Sequence, residues 1–240
     1  MIDPTVKAEL APTGVLRAGI NLSNFLLVTG KAENGDPVGV SPDMAAEIAR
    51  RLEVPLKLVT YPDPGGLADA VGDWDIGNIG AEPQRAEHIA FTAAYCEIQS
   101  TYLVPADSPI QTIKDVDKPG IRIATKGRAA YGLWLENNLN HAELIRTDSI
   151  DDSFDAFVEK DLEVLAGLRP RLLSDVERLP GARILDGQFS AVQQAVGTPR
   201  QNTASAAWLA EFVEEVKASG FVADLIAKHK VEGLSVAPAA

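Results

Sequence analysis

Short apolar segments alternate with amphipathic segments along most of the chain. Met44, Ile48 and Leu52 recur at the i, i+4 and i+8 positions of one segment, which is the buried stripe of a helix. Ser41, followed by Pro42, predicts the start of that helix. Runs typical of buried strands lie at residues 15–20, 56–60, 75–79, 121–125, 143–146 and 162–166. This alternation predicts an α/β fold with largely parallel sheets.

Two extended segments, residues 98–105 and 189–196, carry no helical stripe and end at turn signals. They bracket a block that has its own strands and helices. We therefore predict two α/β lobes joined by a two-strand hinge, with lobe 1 formed by residues 1–103 and 192–240 and lobe 2 by residues 104–191. Two helices, at residues 204–218 and 221–230, end the chain on either side of Gly220.

Composition and charge exclude several classes of function. The formal net charge is −12, from 34 acidic and 22 basic residues, and such a balance repels phosphate backbones, so we expect no nucleic-acid partner. The three histidines lie far apart without metal-ligand spacing, so we expect no metal and no cofactor. A single cysteine, Cys96, excludes an intrachain disulfide and is expected to be a small buried hydrophobe.

The first residues contain no basic run followed by an apolar stretch, and no window is long and apolar enough to span a membrane. We therefore expect a cytoplasmic protein if Met1 is the native start and a periplasmic one if a leader was removed.

Several motifs, in order along the chain, carry a resemblance to a known family. Residues 39–52, GVSPDMAAEIARRL, are similar to a helix pattern G-x-x-x-D-x-x-x-x-I-A-x-x-L. Residues 74–76 read WDI, and residues 82–95, EPQRAEHIAFTAAY, are similar to T-P-x-R-A-x-x-x-x-F-S-x-P-Y. Residues 14–19, GVLRAG, and 121–127, IRIATKG, resemble the first strands of two lobes. The chain thus resembles the bacterial extracellular solute-binding proteins of family 3, which have the type II periplasmic-binding-protein fold.

This resemblance implies a monomeric binding protein that closes over a small solute in a cleft between the lobes and delivers it to an ABC-type membrane transporter. Arg85 occupies the position that grips the ligand carboxylate, and a planar guanidinium suits that task; otherwise it is a surface arginine. Asn78 and Gly80 match ligand-contacting positions after the third strand. Phe25 is either an aromatic wall or core. On the returning connection, one of Gln193 and Gln194 is expected to face the cleft, and we take Gln193 as the ligand contact.

The second lobe offers a helix opened by Gly127, whose free N–H groups would favour an anion. Arg128 follows and either contacts a second carboxylate or points to solvent. The family position that holds an α-ammonium group is Leu168 here, so an ordinary α-amino acid is not the expected ligand. Glu82 replaces a threonine: it either caps a helix that starts at Pro83 or contacts an ammonium or hydroxyl group.

The same residues leave two alternatives open. A stand-alone ligand-binding or sensory module would share the site chemistry without a transporter. A cyclohexadienyl dehydratase-like lyase would need a cleft acid, and Glu82 or Glu163 would supply it. We expect a binding protein with no catalytic residues.

Overall fold

The computed structural model describes residues 2–240, and the chain divides into two compact units. One comprises Met1–Glu97 and Gln193–Ala240, and the other comprises Ile98–Val192. The chain passes between them twice, within the strands Cys96–Val104 and Ser190–Pro199. In chain order the strands are β1 Leu16–Asn21, β2 Gly30–Lys31, β3 Pro37–Val38, β4 Leu56–Tyr61, β5 Ile76–Gly80, β6 Ile89–Phe91, β7 Cys96–Val104, β8 Arg122–Lys126, β9 Glu143–Thr147, β10 Val164–Leu168, β11 Arg183–Ile184, β12 Ser190–Pro199 and β13 Leu234–Val236. The helices are α1 Pro4–Leu10, α2 Val40–Leu52, α3 Pro64–Asp69, α4 Ala130–Asn138, α5 Ile150–Glu159, α6 Arg169–Arg178, α7 Thr203–Ala218 and α8 Phe221–Lys228.

The sheet of the first unit has the order β4-β1-β5-β12. Strand β1 runs parallel to both β4 and β5, whereas β12 runs antiparallel to β5. The parallel strands therefore end together, at Asn21, Tyr61 and Gly80. Side chains that follow these strands gather at one edge of the sheet.

The sheet of the second unit has the order β7-β10-β8-β9, in which β8 is parallel to β10 and to β9. Alternate residues of β7 face opposite sides of this sheet. Tyr102 and Val104 join one apolar cluster, where Tyr102 stacks on Phe189 at 4.4 Å between ring centroids. Leu103 joins a second cluster with Phe154. The unit is therefore buried on both faces of its sheet, as its continuous apolar strands require.

The predicted stripe of α2 is confirmed, because Met44, Ile48 and Leu52 are all buried. Its predicted start is wrong. The helix begins at Val40, and the hydroxyl of Ser41 is hydrogen-bonded to that of Tyr95 at 3.1 Å instead of capping the helix. Residue 39 must be glycine for this entry, since a Cβ there would lie 2.2 Å from the carbonyl oxygen of Leu27.

The sequence prediction missed two helices, although each is preceded by the same start signal, a capping residue followed by proline. Asp3 caps α1 by accepting a hydrogen bond from the N–H of Thr5 at 2.7 Å, with proline next. Asp63 caps α3 by accepting from the N–H of Gly66 at 2.9 Å, again with proline next. The Asp-Pro pair is a helix start signal that supplies both the side-chain acceptor and the preset φ angle. Cys96 is fully buried, as expected.

Candidate functional site

The carboxyl end of β5 presents Asn78, a polar side chain inside the first unit. Its Nδ2 donates to the carbonyl oxygen of Ser41 at 2.8 Å, and this bond orients the amide. The other amide atom, Oδ1, is buried and accepts no hydrogen bond from any residue between positions 2 and 240. A buried acceptor without a donor is costly, which makes it a candidate contact for a ligand donor.

Arg85 is buried directly beyond this strand, at the first residue of a 3₁₀ turn that spans Arg85–Glu87. Its N–H donates to the carbonyl oxygen of Glu82 at 3.0 Å. One guanidinium nitrogen donates to the carbonyl oxygen of Gly80 at 2.7 Å. The guanidinium is thereby held at the last residue of β5, and the expectation of a merely exposed surface arginine is wrong because the side chain is buried.

Glu82 does not cap a helix, and that interpretation is wrong for two reasons. No α-helix starts at Pro83, since the segment forms only the short 3₁₀ turn, and Gln84 rather than Glu82 precedes that turn. The Glu82 side chain is instead half-buried. Burial raises the pKa of this carboxyl group to about 7, and the nearby positive charge of Arg85 opposes the rise. A role for Glu82 in ligand binding stays a prediction.

Strand β12 supplies the other side of this end of the sheet. Gln194 is buried and lies opposite Gly80 in the antiparallel register. The carbonyl oxygen of Gln193 accepts the N–H of Ala81 at 2.8 Å, and its side-chain amide donates to Glu97 at 2.9 Å. The structure therefore brings Asn78, Gly80, Glu82, Arg85 and Gln193 together around the carboxyl end of β5.

Phe25 lies in the loop after β1, the strand that neighbours β5. Its relative exposure is 40%, so it is not part of the core. The loop around it is held by local hydrogen bonds: the side chain of Asn24 accepts from the N–H of Leu26 at 3.2 Å. Contact between Phe25 and a ligand stays a prediction.

In the second unit, Gly127 does not open the helix. Helix α4 begins at Ala130, and the N–H of Gly127 donates to the carbonyl oxygen of Thr147 at 2.9 Å, as part of the β8–β9 edge. That N–H is therefore already committed. Arg128 is exposed and has a left-handed backbone with φ of 61°, a conformation that a non-glycine residue adopts at a cost. Contacts of both residues with a ligand stay predictions.

The second unit also contains hydroxyl groups that the sequence did not single out. Ser100, opposite Leu168 in the β7–β10 register, and Thr125, near the end of β8, are fully buried. Neither hydroxyl finds a hydrogen-bond partner within the part of the chain that is described. In sequence they stand in ordinary strand segments, so no local signal distinguishes them from core residues.

Leu168 is buried at the end of β10 and precedes α6. The next residue, Arg169, donates to the side chain of Gln99 at 2.8 Å and to the carbonyl oxygen of Gly187. Glu163 lies at the opposite, amino end of β10 and pairs with Arg122 at 2.7 Å. Glu163 is therefore wrong as a candidate acid, because the ligand-binding edge of a parallel sheet is the carboxyl one.

A surface groove of about 770 Å³ lies elsewhere in the first unit and contains none of the predicted ligand residues. Its charged lining is exposed, so solvent screens it and gives it little power to hold an ion. The buried cluster at the end of β5 is therefore the stronger candidate for a ligand site. The lining of the groove consists of Ala68, Asp69, Val71, Glu87, His88, Arg200 and Gln201.

Across residues 2–240, histidine, cysteine, aspartate and glutamate side chains nowhere gather in threes suited to a metal ion. In the same range there is no helix with the length and apolar composition needed to cross a bilayer.

A sequence profile of the bacterial extracellular solute-binding proteins, family 3, matches residues 19–232, which span the whole cluster at the end of β5. This chain belongs to that family. The resemblance and the α/β fold inferred from the motifs are thus confirmed. No curated protein sequence matches this family 3 protein.

Solved structures share its fold, the type II periplasmic-binding-protein fold. A mutant of ArgBP from T. maritima has a TM-score of 0.72 at 23% identity, covering 95% of this chain and 100% of that one. A putative ABC transporter binding component from Wolinella succinogenes, complexed with lysine, has a TM-score of 0.72 at 20% identity, covering 90% and 95%. An ancestral amino acid-binding protein, a precursor of cyclohexadienyl dehydratase, has a TM-score of 0.71 at 20% identity, covering 92% and 98%.

Proposed function

We propose that this family 3 protein binds a small carboxylate-bearing solute and serves as the substrate-binding component of an ABC-type transporter, outside the cytoplasm. The observation that carries the proposal is Arg85, a buried guanidinium held at the carboxyl end of β5 by its 2.7 Å hydrogen bond to Gly80. A guanidinium keeps its charge even where it is desolvated, and its planar donors match a carboxylate.

The way in which Arg85 is held supports recognition rather than a purely structural role. Its 2.7 Å hydrogen bond to the carbonyl oxygen of Gly80 fixes the guanidinium at the last residue of β5. Preorganised donors bind with a smaller entropic cost than flexible ones. The W. succinogenes binding component was solved complexed with lysine, which is in keeping with a solute of this size.

A thermal-melt screen of the purified protein against amino acids, dicarboxylates, aromatic acids and cyclic dienyl acids would find the ligand. Ligand at about a hundredfold its dissociation constant stabilises the native state by about 2.7 kcal/mol, a readily visible shift in Tm. Turnover of a cyclic dienyl acid, measured separately as formation of product, would favour a lyase over a binding protein.

Calorimetric titration of the hit then tests the anchor. Arg85→Ala is expected to weaken binding by about 10- to 100-fold, because a charge-assisted hydrogen-bonded pair contributes about 1.5–3 kcal/mol. Arg50→Ala is the matched control, since Arg50 is an exposed arginine of the same unit that pairs with Glu47 on the surface. Circular dichroism verifies that both variants fold. Unchanged affinity in folded Arg85→Ala would refute the proposed anchor.

A further inference from the structure

The turn that follows β5 places two opposite charges three residues apart in the chain, at Glu82 and Arg85. The backbone of this turn is well held: Ala81 donates to Gln193 of β12 at 2.8 Å, and the carbonyl oxygen of Glu82 accepts from Ala86 at 3.1 Å. Neither side chain is therefore on a freely moving loop. The position of Glu82 is set by the sheet, as a recognition residue requires.

The Glu82 carboxylate has no structural task that explains its burial. Neither the backbone of the turn nor any side chain of residues 2–240 is seen to donate a hydrogen bond to it, and it caps no helix. Burial raises the pKa of this carboxyl group, and the attraction of the Arg85 charge offsets that rise only in part. A half-buried carboxylate without donors is unfavourable for stability, and such groups concentrate at functional sites.

The position at which the family resemblance places the acid for an α-ammonium group is Leu168. Leu168 occupies the end of β10 and is buried, and a leucine offers no acceptor. A ligand that carries a cationic group beside its carboxylate would need its acidic partner elsewhere in the protein.

We infer that Glu82 is the residue that binds the cationic group of the ligand, while Arg85 binds the carboxylate. The inference rests on the proposed function, because it needs Arg85 to hold the carboxylate. Glu82 and Arg85 belong to one short turn, so their charges suit a ligand whose own opposite charges are adjacent, as in an α-amino acid. Asn78 lies on β5, the strand that precedes this turn. Its buried acceptor Oδ1 adds a second oxygen to this end of the sheet.

The protonation of Glu82 makes the inference measurable. The carboxylate form binds a cation and the neutral acid does not, so affinity for a zwitterion should rise with pH through about 7. Between pH 6 and pH 8 the ionised fraction grows about tenfold, and the apparent affinity grows with it. Arg85 is the charged neighbour on the same turn, and it stays protonated over this range. From β12 the nearby side chains are the neutral amides of Gln193 and Gln194, with Glu97 bonded to the former.

The test is calorimetric titration of the full chain with L-amino acids, each compared with the same acid lacking its α-amino group, such as L-phenylalanine with phenylpropanoate. The parent protein should bind a zwitterion at least about tenfold more tightly than its deaminated partner, with affinity rising between pH 6 and pH 8. In Glu82→Gln both the preference and the pH dependence should disappear, while the affinity for the deaminated acid is kept. Glu87→Gln is the matched control, since Glu87 is exposed on the same turn, and it should behave like the parent.

The outcomes separate this inference from the proposed function. If Glu82→Gln keeps the preference for the zwitterion and its pH profile, Glu82 is not the cation partner. In that case the proposed function still stands if Arg85→Ala weakens the binding of the acids. If no pair of acids binds to the parent protein, both the proposed function and this inference are wrong.

Discussion

Gly132, inside helix α4, sets helix propensity against packing, and the structure indicates which effect is larger. Replacing a helical glycine with alanine ordinarily stabilises the folded state by about 1 kcal/mol, because glycine has more backbone freedom to lose. At this position, however, a Cβ would lie 2.4 Å from the carbonyl oxygen of Lys126. Contacts shorter than 3.0 Å essentially do not occur for Cβ atoms. The atom it meets is backbone at the end of β8, so it cannot rotate out of the way.

Gly132→Ala therefore has to move α4 away from β8 or bend the end of the strand. Overpacking of this kind costs about 1–3 kcal/mol. With about 3 kcal/mol for a contact this short, and about 1 kcal/mol of propensity offsetting it, we expect a net destabilisation of about 2 kcal/mol. For a chain of 240 residues this lowers Tm by about 4–8 °C.

Thermal and urea unfolding followed by circular dichroism measure this difference directly. Gly66→Ala in α3 is the matched control, because a Cβ there would meet nothing closer than Asp63 Oδ1 at 3.9 Å. Propensity acts alone at that position, so we expect a gain of up to about 1 kcal/mol. A Gly132→Ala protein as stable as the parent, or more stable, would refute the reasoning that the contact with Lys126 outweighs propensity.

Two further predictions concern the first unit. Burial opposes ionisation of Asp43, but hydrogen bonds from Lys228 at 2.7 Å and His229 at 2.6 Å outweigh it and lower the pKa of this carboxyl group below its usual 3.8. The stability that comes from a lowered folded-state pKa is fully present above 3.8 and is lost as pH falls through the folded value. Asp43→Asn should therefore cost about 1–2 kcal/mol at pH 7 in urea unfolding, and this cost should shrink as pH falls below 3.8. A cost that stays the same at acid pH would contradict this. Trp74 is fully buried and donates to the carbonyl oxygen of Leu67 at 3.0 Å. Trp74→Phe should therefore lower the free energy of unfolding by about 2–3 kcal/mol. Trp208 is half-buried, and Trp208→Phe should lower it by less than about 1 kcal/mol. Similar losses in the two tryptophan variants would mean that the buried hydrogen bond and volume matter little.

The sequence predicted which residues form the candidate site, but not their burial, their hydrogen bonds or the pKa of Glu82. The motif around Arg85 and the end of the third predicted strand point to Asn78, Gly80, Glu82 and Arg85 from sequence alone. Their burial, the bond from Arg85 to Gly80 and the raised pKa of Glu82 follow from packing of the turn against the sheet. Local sequence does not encode that packing, which explains why it leaves helix capping open for Glu82 and predicts a free N–H at Gly127.

The sequence by itself determined the α/β class, the order of the longer strands and the family, because periodicity and motif order are local properties of the chain. The stripe of Met44, Ile48 and Leu52 is an example. Only the tertiary structure decided which groups meet across long separations. Ser41 is a good cap in isolation, but its hydroxyl is bonded to Tyr95, 54 residues away. Gln194 lies beside Gly80 because β12 returns antiparallel to β5. Such pairings depend on which strands become neighbours, and burial energy over the whole fold, not local preference, selects them.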